Sequence, residues 1–69
     1  MATYYITCPG STNNWEKTNA KTLAGAKILA SKTWQVTSDS KLIVGAQDEP
    51  NGQIYELACK AGYGKWINV

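Results

Sequence analysis

Sixty-nine residues with seven lysines, five acids, no arginine and no histidine carry a net charge of +2. A chain this short makes one domain with a thin core, burying only about 60% of the surface its unfolded form exposes. Acid–base chemistry near neutral pH uses histidine, or a carboxylate or lysine shifted by burial among other charges; no such grouping stands here, which points to a binding module and away from an enzyme.

Two cysteines without histidine leave no ordinary four-ligand zinc site, and no cofactor is expected. No apolar run nears the ~20 residues of a bilayer span. With no charged segment leading into an apolar stretch at the start, a cytoplasmic protein is the expectation. Cys8 and Cys59 could join in one disulfide across neighbouring strands; free buried thiols suit a reducing compartment better.

Along the chain, Tyr4 to Cys8 is a short β-rich run closed by Pro9 and Gly10, followed by a polar turn cluster from Ser11 to Asn14. Trp15 to Ala20 alternates loosely and reads as a second, polar strand paired with the first. Thr22 suits an N-cap, and Leu23, Ala26, Leu29, Ala30, Thr33 and Trp34 fall on one stripe at 3.6 residues per turn. That predicts an amphipathic helix of about three turns, with Ala26 and Ala30 letting it lie close on a sheet.

Gln35 to Ser40 is a polar connection. Lys41 to Gln47 and Gln53 to Lys60 read as two strands around Asp48–Gly52, where Asn51-Gly52 signals a hairpin because both residues tolerate positive φ. Alternation along the later strand points Tyr55, Leu57 and Cys59 inward, and Ile54, Glu56, Ala58 and Lys60 outward. Gly62-Tyr63-Gly64 makes a turn before Lys65 to Val69, a short terminal strand. The expected fold is α+β in ββαββ order, an antiparallel sheet with one helix on one face, residues 1–69 forming a single small interaction domain.

On that helix Gly25, Ile28 and Lys32 lie opposite the core stripe, with Lys27 near its edge. A glycine inside a helix costs about 1 kcal/mol relative to alanine. These residues form either a docking spot, where a partner's backbone approaches Gly25, contacts Ile28 and pairs acids with Lys27 and Lys32, or a helix face carrying one stray apolar residue. Lys17 and Lys21 extend the same basic region, whose only acid from Glu16 to Lys32 is Glu16 itself. The aromatics include no phenylalanine, and Tyr5, Trp15 and Trp66 are candidates for an aromatic surface on the sheet face opposite the helix, the arrangement with which some modules stack bases. Core and rim packing accounts for most of them.

The helix segment Thr22-Leu23-Ala24-Gly25-Ala26-Lys27-Ile28-Leu29-Ala30-Ser31-Lys32 and the ending from Leu57 to Val69, with Gly64-Lys65-Trp66, resemble very small bacteriophage proteins, above all type I-F anti-CRISPR inhibitors of similar length. The resemblance implies a stoichiometric inhibitor that binds backbone subunits of a crRNA-guided surveillance complex and blocks target DNA hybridisation in the bacterial cytosol. It implies contact residues at Lys27 and Lys32, the two positions that match. The chain departs from the pattern in having Ile28 beside Lys27 and no arginine, and lysine lacks the bidentate fork.

The leading expectation is therefore a non-enzymatic phage inhibitor of a host defence complex, present as monomer or homodimer. The alternative is a small nucleic-acid-binding accessory protein using the lysines and sheet aromatics. A self-associating structural subunit is a third reading.

Overall fold

A computed structural model describes residues 2–10, 14–34 and 37–69. The polar connections expected at Ser11 to Asn14 and Gln35 to Ser40 fall partly outside the described residues. Five strands and one helix follow in the order β1 (Thr3–Thr7), β2 (Glu16–Lys17), α1 (Leu23–Thr33), β3 (Lys41–Gln47), β4 (Tyr55–Ala61) and β5 (Ile67–Asn68). The fold is α+β with one helix on an antiparallel sheet, and its order is ββαβββ rather than ββαββ, because the terminal segment contributes a fifth strand.

The sheet runs β2-β1-β3-β4-β5, each neighbouring pair antiparallel. Both β2 and β3 oppose β1 and so run parallel to each other, and α1 carries the chain across β1 between them. The helix packs on β1 and β3. It starts at Thr22, whose hydroxyl accepts the amide of Gly25 at 3.0 Å, satisfying one of the free amides of the first turn. Its inner stripe is narrower than the sequence suggests. Ala26 and Ala30 are fully buried, Leu23 and Trp34 pack beside them, and Leu29 and Thr33 face outward.

Beneath the two alanines lie Ile6, Cys8, Leu42 and Val44. Among the described residues only Leu42 and Val44 are large side chains buried completely, so the core is thin. On β4 the expected phase is inverted near the core: Ala58 opposes Val44 and is fully buried, while Cys59 opposes Ile43 on the other face. The register then slips, so that Gly45 opposes Glu56 and Leu57 has no partner of its own. This bulge breaks the two-residue period and returns Tyr55 to the helix side opposite Ala46.

The β3–β4 connection also differs from a two-residue Asn-Gly turn. Neither Asn51 nor Gly52 has positive φ; Gly52 donates its amide to the Glu49 carbonyl at 3.0 Å, placing Pro50 at the second position of a four-residue turn. The side-chain amide of Gln47 donates to the Gly52 carbonyl across the loop. Gly62 does adopt the left-handed region, at φ +54, and a Cβ there would meet the Ser38 carbonyl oxygen at 2.8 Å.

Candidate functional site

The outer face of α1 is built by helical spacing alone. Gly25, Ile28, Leu29 and Lys32 stand at i, i+3, i+4 and i+7 and share one face. Ile28 is 57% exposed and Leu29 37%, the two exposed large apolar residues of the helix among the described residues. Each leaves a large part of its apolar surface uncovered in the isolated chain.

Two shallow hollows flank this ridge. One, of about 440 Å³, is lined by Ala20, Gly25, Ile28 and Leu29 with Lys17 and Lys32. The other, of about 450 Å³, is lined by Ala24, Ile28 and Trp66 with Lys27 and Lys32. Ile28 and Lys32 belong to both, so they form the crest between them. No carboxylate lines either hollow among the described residues.

Small residues shape the first hollow. Thr18 is held against β1, its amide and hydroxyl both donating to the Tyr4 carbonyl, at 3.0 and 2.9 Å, and its oxygen accepts the Ala20 amide at 3.2 Å. That leads the chain past the first turn of the helix and sets Ala20 near Gly25. A Cβ on Gly25 would lie 3.2 Å from the Thr22 hydroxyl and 3.7 Å from Ala20. The missing side chain thus leaves room both for the cap and for the hollow.

The second hollow is framed by the C-terminal strand. Trp66 packs against the core cluster on the helix side, and the Lys27 ammonium stands 5.9 Å from its ring centroid while donating to Asn68 Oδ1 at 2.9 Å. At an exposed position such a cation–ring contact contributes about 0.5–1 kcal/mol. Lys27 is therefore a fixed cation with a structural duty, whereas Lys17 and Lys32 are exposed. Lys21 is exposed as well, directly before the N-cap, and lines neither hollow.

Of the three aromatics expected on the far face of the sheet, Tyr5 and Trp15 stand there and Trp66 does not. Tyr5 opposes Gly45, and the Trp15 ring comes within 2.9 Å of the position a Gly45 Cβ would take, which puts both residues on the far side. The terminal Cβ alternation places Trp66 with Asn68, opposite Ala58 and toward the helix. Tyr5 also commits its hydroxyl to Gln47 Oε1 at 3.1 Å, and Trp15 is partly covered.

Elsewhere the titratable chemistry is sparse. Tyr55 donates its hydroxyl to Asp48 Oδ1 at 3.0 Å, and this bond, reinforced by desolvation and the nearby charge of Asp48, raises the phenol above its ordinary value. Cys8 is buried in the core cluster, Cys59 is half-buried on the opposite face, and both are free thiols. No group of three potential metal-ligating side chains occurs among the described residues, nor is any helix there long and apolar enough to cross a membrane.

Sequence reasoning assigned Leu29 to the core and had no means of finding Ala20 or Asn68. Leu29 sits about 100° around the helix from Ala30, a position ambiguous from periodicity. Ala20 and Asn68 join the site through chain packing, which leaves no local signal. Comparisons with protein-family models, with curated proteins and with solved structures find no match to this chain.

Proposed function

We propose that this chain is a non-enzymatic inhibitor that binds a protein subunit of a host defence complex through the outer face of α1. The partner is a backbone subunit of a crRNA-guided surveillance complex, as for the phage inhibitors that the helix and the Lys65-Trp66 ending resemble, and the consequence is loss of target DNA hybridisation. The observation that carries the reading is the crest of Ile28 and Lys32 between two carboxylate-free hollows. An exposed isoleucine amid lysines is a poor solvent surface and a good contact surface. A lack of histidine in the chain favours binding over turnover.

Tagged protein is expected to capture a type I surveillance complex from bacterial lysate, and the captured complex is expected to have lost target-DNA binding. Lys17→Glu with Lys32→Glu should abolish capture while preserving the circular dichroism spectrum, since both side chains are exposed. Lys27 is unsuitable for this test because its replacement also releases Asn68 and Trp66. Capture that survives the double charge reversal, with the fold intact, rules out this face.

A further inference from the structure

We infer that the element docking on α1 is an acidic protein segment with two apolar side chains, one seated in each hollow beside Ile28 and its carboxylates reaching Lys17, Lys32 and Lys27. The inference rests on the proposed function only for the choice of face; it concerns what chemistry that face accepts.

The crest sets the shape a partner must have. Because Ile28 lines both hollows, a partner contacting it from above must place groups on either side, and each side ends in small or aromatic surface: Ala20 and Gly25 in one, Ala24 and Trp66 in the other. Ridges of side chains pack into such grooves when spaced three or four residues apart on a helix. A flat or single-knob partner would leave one hollow filled only by water.

Charge decides what surrounds those apolar groups. Among the described residues three lysines and no acid line the two hollows. Lysine is a point charge without a bidentate fork, so single carboxylates distributed around the apolar pair match it better than a clamped group. The Lys27 ammonium is already held by Asn68 and the Trp66 ring, so less side-chain freedom is lost when a carboxylate meets it. A nucleic-acid backbone would use the same lysines and leave Ile28, Leu29 and the indole of Trp66 without apolar contact.

The test uses the intact isolated chain and three probes: a helix-forming peptide of glutamates with two leucines four residues apart, the same peptide with alanine for leucine, and an oligothymidylate of matched charge. Amide and indole chemical shifts report the location. The leucine peptide is expected to shift Gly25, Ile28, Lys32 and the Trp66 indole, and Ile28→Glu or Lys32→Glu should each weaken it by about tenfold or more with an unchanged spectrum elsewhere. Equal binding of the alanine peptide, stronger binding of the oligonucleotide on this face, or shifts confined to the Tyr5 and Trp15 side would each overturn the inference. Failure here with successful, Lys32-dependent capture of the complex would spare the proposed function; peptide binding with no capture would spare the inference and remove the function.

Discussion

Gly45 is the residue on which the far face of the sheet depends. A Cβ at this position would stand 2.8 Å from the Tyr55 carbonyl oxygen and 2.9 Å from both Ile54 Cγ2 and Trp15 Cη2. The carbonyl belongs to the paired neighbouring strand and cannot withdraw without breaking the ladder. Gly45→Ala is therefore expected to destabilise the fold by about 1–3 kcal/mol, read from the urea midpoint, with a change in tryptophan emission as Trp15 is displaced.

Tyr55 offers a pH signature at the same scale. Its folded phenol lies above the ordinary 10.0 because the neutral form donates to Asp48, with desolvation and the Asp48 charge acting in the same direction. A raised folded value stabilises the native state fully below the unfolded value and loses that contribution as pH rises through the folded one. Stability should thus fall in the alkaline range above pH 10, and Asp48→Asn should remove part of that dependence. Phenolate absorbance followed against pH in the two proteins checks it: the alkaline limb moves to lower pH in the variant if the hydrogen bond is the cause.

At the scale of the element, α1 shows how one local choice serves two purposes. Its cap hydroxyl occupies the space a side chain on Gly25 would need, at 3.2 Å. Thr22→Ala alone should cost about 1 kcal/mol of stability. Gly25→Ala alone should be near neutral, because the gain in helix propensity of about 1 kcal/mol is offset by crowding against the hydroxyl. With Thr22→Ala in the background the crowding is gone, and Gly25→Ala should then stabilise by most of that amount. Denaturant titration of the four proteins forms the double-mutant cycle, and strict additivity would show that the contact does not matter.

The strands carry a different lesson. β3 and β4 were legible from their β-branched and alternating residues, and their limits nearly coincide with those read from the sequence. The direction of β4 side chains was not, because alternation presumes an unbroken period and Leu57 interrupts it. The turn between these strands misled for a related reason. Asn51-Gly52 permits positive φ without requiring it, and Pro50 supplied another turn.

For the whole molecule, the thin core makes each covering element count. Among the described residues the fully buried side chains other than Leu42 and Val44 are small, and the helix lies close over them through two alanines. Trp34, at the end of α1, and Trp66, just before β5, both pack against this core. No covalent staple adds to it. Cys8 lies on the helix side beyond β1 and Cys59 on the far side of β4, with β3 between, so the chain cannot link them without unfolding. The unfolding midpoint is expected to be the same with and without reductant. In the native state Cys59 should react with a thiol reagent faster than Cys8, which is 3% exposed.

What the sequence determined by itself was local. The helix and its Thr22 cap, two long strands, the absence of histidine, and a helix face carrying Gly25, Ile28 and Lys32 all follow from residue type and spacing, because propensity, capping and periodicity act over a few neighbours. Tertiary structure decided the rest. It set Lys17 and Ala20 beside Ile28, tied Lys27 to Asn68 and Trp66, parted Trp66 from Tyr5 and Trp15, and turned Ala58 inward. Each of these depends on strand register and on which sheet face the helix covers, and such long-range pairings leave no trace in the spacing of residues along the chain.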